Sequence, residues 1–388
     1  MSDKTENTLV QLGRPEKKEA RHVNLPIELG STMVFDTMAA FEQARDNRYH
    51  SGTMFYGRYG NEASYKLEGI IAALEHAAGV TLTSSGVAAI SLALQAQVKP
   101  DVHLLVADNV YGNTRAFCEG VLRQQGVVVE FFDAAIGTDI KTLFRSNTVA
   151  VMFEAPGTGT FEFPDISGIA AVSKKAGVVS ILDATWATPV FCQPLTLGVD
   201  VLVYSGSKYL SGHSDCMFGV IACKAEPLHK QIRQCVMAYG DKIGSHEVFL
   251  ALRGMRTLDL RMKAVNEAGL KVAKWFAERP EVARVLHPAL NSCPGHDHWK
   301  ASCSGSAGLF SVVFHPVSDV KIHAFTEALH HFGIGVSWGG FESLVLPVKP
   351  VRTATEWSET GQLVRFNIGL ENTQSLIDDL DSAMAHLA

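Results

Sequence analysis

Val201-Leu202-Val203-Tyr204-Ser205-Gly206-Ser207-Lys208-Tyr209-Leu210-Ser211-Gly212 is an apolar run that passes into a turn of small and hydroxylic residues with one lysine at its centre. Its first half reads as a strand buried on both faces, as strands of parallel sheets are. Just past such a strand Lys208 is partly withdrawn from water, which disfavours the ammonium and leaves a nucleophilic amine. An amine of that kind suits an aldehyde. Ser205 and Ser207, on the same turn, can hold a phosphate. A surface lysine in a serine-rich loop is the alternative for these residues taken alone.

A segment of the same type precedes it. Val178-Val179-Ser180-Ile181-Leu182-Asp183-Ala184-Thr185-Trp186 delivers one acid at the carboxyl end of a buried strand, the edge where open α/β sheets bind ligands. A buried carboxylate needs something positive to face it, since breaking a buried ion pair costs about 3–5 kcal/mol. A protonated ring nitrogen meets that need; a helix N-cap at the strand end is the alternative.

Working outward, further strand candidates are 102–106, 127–131, 149–153 and 219–222, most of them separated by helix-length intervals. Repeated βα units predict an α/β chain with a largely parallel sheet covered by helices on both faces. A helix is expected over 64–78, with Leu67, Ile70, Ile71, Leu74 and Ala78 on one face and a stop at Gly79. A long helix starting near Ser245 carries the chain into a second domain, with the boundary near residue 258. There Leu309-Phe310-Ser311-Val312-Val313-Phe314 alternates like a half-exposed strand, and a helix over 373–387 closes the chain. Residues 1–60 are polar and would not pack alone.

A chain of 388 residues with 47% hydrophobic content can bury a sizeable two-domain core. The net charge of −6 offers no electrostatic reason to expect nucleic acid or an anionic membrane as partner, which leaves a small molecule as the expected ligand. No signal peptide or spanning apolar run is visible, so a cytoplasmic protein is expected. The seven cysteines are scattered without a CxxC, fitting reduced thiols. His213 and the His296/His298 pair lack a third ligand at sensible spacing, so no metal is expected.

Tyr56-Gly57-Arg58-Tyr59-Gly60-Asn61, Ser84-Ser85-Gly86-Val87-Ala88-Ala89, Asp108-Asn109-Val110-Tyr111-Gly112, Asp183-Ala184-Thr185-Trp186, Ser205-Gly206-Ser207-Lys208-Tyr209 and Arg365-Phe366-Asn367-Ile368-Gly369-Leu370-Glu371 follow one another in that order. Together they resemble the Cys/Met-metabolism family of pyridoxal-phosphate enzymes, from about residue 20 to the C-terminus. Within it, Glu154-Ala155-Pro156-Gly157-Thr158 and Val336-Ser337-Trp338-Gly339-Gly340 are most similar to the bacterial cystathionine β-lyase branch. The resemblance implies the aspartate-aminotransferase-like fold (type I of the pyridoxal-phosphate enzymes): a large cofactor domain over 61–258 and a smaller α/β domain over 259–388. It also implies that the 1–60 arm contacts a neighbouring subunit, in a dimer with shared active sites that usually pairs into a homotetramer.

Particular residues take expected roles. By the resemblance, Lys208 holds pyridoxal phosphate covalently and then acts as the base, with Asp183 on the ring nitrogen and Thr185 beside the ring. Residues alone make Ser85-Gly86-Val87 at a helix start an anion site, or simply a cap. Arg58, near Tyr56 among glycines, is a phosphate candidate, or part of an ordinary loop. The resemblance places Tyr56 and Arg58 at the other subunit's phosphate and joins Gly86, Val87, Ser205 and Ser207 to it. Tyr111 is either a ring stacked on the cofactor, with its hydroxyl near the reacting centre, or a packing aromatic after a turn. Arg365, in an apolar strand-like segment, clamps a carboxylate or makes a structural ion pair; the resemblance gives it the substrate α-carboxylate, with Ser337 and Trp338 adjoining and Tyr56 and Tyr111 also lining the substrate site. Asn113 and Arg115 either meet a distal amino-carboxylate or sit on a helix surface.

The reaction so implied is a carbon–sulfur lyase step of methionine biosynthesis. It is β-elimination from cystathionine or related S-substituted L-cysteines, giving a thiol, pyruvate and ammonia. γ-Chemistry, by a methionine or cystathionine γ-lyase or a homoserine-ester sulfhydrylase, is the second reading. Those relatives carry Pro-Thr-Asn-Pro where this chain has Pro156-Gly157-Thr158-Gly159, and a small aliphatic residue in place of Trp338. A non-enzymatic binding protein is the third; Lys208, Asp183 and Arg365 together argue against it, because binding alone needs no base.

Overall fold

A computed structural model describes residues 5–15, 20 and 22–387. Seven strands form the first sheet: β1 (Gly79–Thr83), β2 (His103–Ala107), β3 (Val128–Phe132), β4 (Thr148–Glu154), β5 (Val179–Asp183), β6 (Val201–Ser205) and β7 (Gly219–Cys223). They lie in the order β1-β7-β6-β5-β4-β2-β3. The run from β3 to β6 is parallel, and β7 is antiparallel to both its neighbours, β6 and β1. Most of their Val, Ile and Leu side chains are buried, as the near-continuous apolar runs predict, with Val128 at the start of the edge strand β3 exposed.

The second sheet contains β8 (Val282–Leu286), β9 (Leu309–Phe314), β10 (Gly333–Ile334), β11 (Leu344–Val348) and β12 (Leu363–Asn367), in the order β10-β11-β12-β9-β8. The helix Leu258–Ala277 spans two cores: Leu258, Met262 and Val265 enter the first, and Val272, Ala273 and Phe276 the second. Phe276 is the hub of the second, with Phe366 at 4.8 Å and Phe310 and Phe314 each at 6.2 Å between ring centroids. Each such pair adds about 0.5–1.5 kcal/mol beyond its burial.

Several elements depart from the sequence expectations. The helix predicted over 64–78 runs Glu62–Glu75, capped by Asn61 and closed at His76 in the left-handed conformation. Gly79 opens strand β1 instead of ending that helix. The long helix near Ser245 is two helices, Ser245–Met255 and Leu258–Ala277. β9 is buried along its whole length, where half exposure was expected, because Leu309 and Val313 face the first core while Phe310, Val312 and Phe314 face the second. The closing helix ends at Ala383 and continues as a 3-10 turn to His386.

The start of the N-terminal arm packs on its own chain, contrary to its polar composition. Leu9 of the helix Thr5–Gln11 is buried, and Arg256 Nη1 donates to the carbonyls of Leu9 and Leu12 at 2.6 and 2.7 Å. A guanidinium satisfies helix-end carbonyls that have no partner of their own. Residues 1–4, 16–19 and 21 of the arm lie outside the described residues. Beyond them Val23, Leu29 and Val34 stand in solvent. Among the described residues no helix is long and apolar enough to cross a membrane.

An ion pair that the sequence does not announce ties this half of the molecule together. Arg233 is fully buried and meets Glu68 at 3.0 Å, while its other donors reach the carbonyls of Tyr59 and Val80. It thereby joins the helix Glu226–Ala238 to the helix Glu62–Glu75 and to β1. Arg233→Met leaves Glu68 charged and unpaired in the interior, so a loss of about 3–5 kcal/mol is expected in denaturant unfolding. Adding Glu68→Leu should recover most of it.

Candidate active site

Both β5 and β6 end at the same edge of the sheet, and the turn after β6 places Lys208 beside the end of β5. Lys208 is half-buried. Its Nζ donates to Ser337 Oγ at 2.7 Å and stands 5.3 Å from the centroid of the Trp338 ring. Burial, with the positive charge of Arg365 adding to it and Asp183 opposing, lowers its pKa from 10.5 to about 8. The desolvated amine expected from the sequence is therefore present.

Asp183 is buried at the end of β5, and its Oδ1 accepts from the Thr185 amide at 3.0 Å and from the Thr185 hydroxyl at 2.5 Å. Thr185 Oγ1 in turn accepts from the Ser205 amide at 2.9 Å, which ties the ends of β5 and β6 together. Among the described residues no arginine, lysine or histidine forms an ion pair with Asp183 and no hydrogen bond reaches its Oδ2. Burial pushes its carboxyl above the ordinary range, against the Thr185 hydrogen bonds and the charge of Lys208. A cationic ring nitrogen placed there would reverse that shift.

Next to it sits an acid that the sequence reading used only as part of a motif. Glu154 ends β4 in register with Asp183. It accepts from the Tyr111 amide and from Thr158 Oγ1, both at 2.7 Å. Burial raises its pKa well above the carboxylate range, and Asp183 raises it further. The rule that singles out Asp183, an acid at the carboxyl end of an apolar strand, applies equally to Glu154. Both line one cavity with Thr185, Trp186, Trp338 and Arg365.

Arg365 points from β12 toward the segment that carries Ser337 and Trp338. Its Nη2 donates to the carbonyls of Val336 at 2.6 Å and of Gly335 and Ser337 at 3.3 Å. No ion pair to Arg365 occurs among the described residues, which leaves a half-buried guanidinium able to take a planar carboxylate. Tyr111, 40% exposed, holds the start of the helix Gly112–Ala116, and its hydroxyl accepts from Asn113 Nδ2 at 2.7 Å.

Ser85, Gly86 and Val87 begin the helix Gly86–Gln95, with the Ser85 side chain capping Ala88. A Cβ on Gly86 would lie 2.6 Å from the Ser205 Cβ, so only glycine lets the helix start close onto the β6 turn. The first-turn amides of Gly86 and Val87, the Ser205 hydroxyl and that turn make a cradle for an oxyanion. Ser207 Oγ is engaged with the amide and carbonyl of Phe218 at 3.2 and 3.3 Å. These groups, with the Lys208 amine and the unpaired Asp183, fit a phosphorylated aldehyde that carries a basic ring nitrogen.

The chain does not bring Tyr56 and Arg58 to its own cradle through any described contact. Arg58 donates to the Met237 carbonyl at 2.6 Å and covers the Tyr59 ring at 4.7 Å, and Tyr56 is 41% exposed. Arg115 is neither at the substrate cavity nor on a helix surface, the two positions left open for it. It is buried against Asp108, with its guanidinium 3.8 Å from the centre of the Phe131 ring. Asp108 also accepts the amides of Thr353, Ala354 and Thr355 at 2.9–3.0 Å, fastening the 353–355 turn to the first sheet. Burial would raise its carboxyl, but these donors win and hold it down at about 2. His213 Nδ1 and His296 Nδ1 bond backbone carbonyls at 2.6 and 2.8 Å.

Comparison with known proteins agrees with this geometry. The chain is similar to a putative cystathionine beta-lyase of Rhizobium johnstonii, 41% identical over 94% of this chain and 91% of that protein. It is 36% identical to the cystathionine beta-lyase MetC of Escherichia coli over the full length of both. The structure of cystathionine gamma synthase from Xanthomonas oryzae pv. oryzae, in complex with aminoacrylate and cysteine, superposes with a TM-score of 0.90 at 26% identity, covering 100% of this chain and 99% of that one. The Cys/Met metabolism PLP-dependent enzyme profile matches residues 6–385, and the chain belongs to that family of pyridoxal-phosphate enzymes.

Proposed function

We propose that the enzyme cleaves L-cystathionine and related S-substituted L-cysteines by β-elimination, releasing a thiol, pyruvate and ammonia. With cystathionine the thiol is homocysteine, which makes the step part of methionine biosynthesis. The observation that carries the reading is the convergence of a half-buried Lys208 amine, an unpaired buried Asp183 and a carboxylate-free Arg365 beside Trp338. Such a set has a base, a partner for a cationic ring and a clamp for an amino acid.

Pyridoxal phosphate, when bound, supplies the electron sink that lets the Cα–H bond of an amino acid break heterolytically. Lys208 would hold its aldehyde carbon through Nζ, and the backbone cradle at Gly86 and Val87, with Ser205 and Ser207, would take its phosphate. Asp183 would keep a proton on the ring nitrogen, and Thr185 fixes the orientation of that carboxylate. Arg365 binds the α-carboxylate of the substrate and so points Cα at the base. The Lys208 amine, when free, would take the Cα proton, and Ser337 Oγ, 2.7 Å from Nζ, would steady the ammonium that results. The sulfur leaving from Cβ takes a proton from the Lys208 ammonium or the Tyr111 hydroxyl. Trp338 shields these steps from water and narrows the amine's reach toward a second proton on Cβ, which γ-chemistry requires. The two relatives named above are a putative cystathionine beta-lyase and the cystathionine beta-lyase MetC, and their names support the same choice.

The reading extends to assembly. Among the described residues Arg58 meets no oxyanion in its own chain and Tyr56 is exposed, while Val23, Leu29 and Val34 present apolar side chains to solvent. These support a homo-oligomer, dimeric with shared sites and paired into a tetramer, in which Tyr56 and Arg58 serve the neighbouring subunit's phosphate and substrate.

Keto-acid analysis with cystathionine is expected to give pyruvate; 2-oxobutyrate would overturn the β-assignment. Lys208→Arg should lower kcat by about 10²- to 10⁴-fold or more, the usual weight of a positioned base. Arg365→Leu removes charge-assisted hydrogen bonds worth about 1.5–3 kcal/mol, so kcat/KM should fall roughly 10- to 100-fold. A lowered lysine pKa means that the neutral amine prevails above about 8 rather than above 10.5. Covalent uptake of pyridoxal phosphate by the apoprotein, followed by its visible absorption, should therefore rise with pH and level off above about 8. Lys208→Ala should abolish the borohydride-sensitive part of that absorption.

A further inference from the structure

Cys192 and Cys303 face each other across an isolated antiparallel bridge between two chain segments 111 residues apart. The flanking bond runs from the Ser304 amide to the Phe191 carbonyl at 2.8 Å, which makes 192 and 303 the non-hydrogen-bonded pair of the bridge. Cα atoms in such pairs are about 4.5 Å apart with side chains directed together, inside the roughly 4.4–6.8 Å spacing that a disulfide spans. Both residues are free thiols. Cys192 is buried and Cys303 half-buried. The Cys192 thiol donates to the Ser302 carbonyl at 3.4 Å, the residue before its partner. A hydrogen bond with Cys303, and then burial, push the Cys192 thiol well above its ordinary range, consistent with sulfur next to sulfur. None of the other five cysteines shares a described bridge or strand register with a second cysteine.

We propose that Cys192 and Cys303 form a reversible two-cysteine oxidation site whose co-substrate is a peroxide. Cys303, the more accessible thiol, gives up its proton and its sulfur attacks one oxygen of hydrogen peroxide. The O–O bond breaks, Cys303 becomes a sulfenic acid, and the departing hydroxide takes the proton as water. Cys192 sulfur then attacks the Cys303 sulfur; the S–O bond breaks and the hydroxyl leaves with the Cys192 proton as a second water. Two thiols are oxidised by two electrons, and one peroxide is reduced to two waters. Because Cys192 is buried behind Cys303, the sulfenic acid forms next to its own resolving thiol.

The link would fasten the wall of the cofactor cavity. Cys192 follows the Asp183–Trp186 segment, and Cys303 leads into β9, whose Leu309 carbonyl accepts from Trp186 Nε1 at 2.8 Å. A disulfide here joins the same two segments covalently. The inference rests on the bridge alone and is independent of which amino acid the enzyme cleaves.

The test uses the reduced full-length chain, treated with hydrogen peroxide, quenched by alkylation and digested without reductant for mass spectrometry. The expected result is a linked peptide containing Cys192 and Cys303, a mass loss of about 2 Da per chain, and release by dithiothreitol. Cys303→Ser should lose the linked peptide and leave Cys192 as a thiol that alkylates on denaturation. The proposal is overturned if Cys303 advances to a sulfinic acid while Cys192 remains alkylatable, or if both stay reduced under peroxide that oxidises free cysteine. Mapping of the wild-type chain decides between these outcomes even if a variant fails to fold.

Discussion

A lysine amine held between a guanidinium and a buried carboxylate, and partly withdrawn from water, is the constraint around which the site is built. Lys208 pays for its reactivity in lost hydration. Arg365 strengthens the effect by repelling the charged form, and Asp183 limits it. Moved to the surface, the same three side chains would be screened, and the lysine would return to its ordinary protonated state. Burial is therefore what lowers the pKa of a common residue toward neutrality.

The scaffold imposes that burial through a few close approaches. Parallel pairing of β4, β5 and β6 brings Glu154, Asp183 and the Lys208 turn to one edge. Gly86 admits the helix start onto the β6 turn, and Thr185 bonds the ends of two strands at once. Gly339 adopts φ +82 with its Cα so near the Tyr209 amide that a Cβ would come within 2.9 Å. That approach seats Ser337 and Trp338 against Lys208. Two adjacent carboxylates at the end of β4 and β5 repel each other, and burial without a cation drives both toward their neutral forms. The site is electrostatically incomplete as a bare chain, and it fits a ligand that brings positive charge to Asp183.

The second sheet supplies the other wall of the site. Arg365 projects from β12, and Asn367 on the same strand accepts from the Gly339 amide at 3.1 Å, so one strand carries Arg365 and braces the Trp338 turn. Tyr209, next to Lys208, accepts from the Gly308 amide at 3.1 Å and meets the Trp338 ring at 5.6 Å. The Asp108 cluster and the Arg352–Glu162 pair hold the 352–355 segment on the other side. Apart from the Asn367–Gly339 bond, each of these contacts spans 99 or more residues of sequence.

Strand patterning, the lysine turn and the strand-end acid were legible because each depends on local composition: apolar runs, small residues, a lone charge at an edge. Those local signals sufficed for the α/β class, for Lys208, Asp183 and Arg365 as candidates, and through the ordered motifs for the family. Gly79 misled because a glycine after an amphipathic run reads as a helix stop, while His76 takes that conformation and Gly79 starts a strand. Arg115 misled because its partner Asp108 lies just past the preceding strand and its burial against Phe131 has no sequence signature. Full burial of β9, the Arg233–Glu68 pair and the facing of Cys192 by Cys303 are likewise decided only in three dimensions. Periodicity reports which side chains shun water, and it carries no record of which distant segment will meet them; that choice is made by packing.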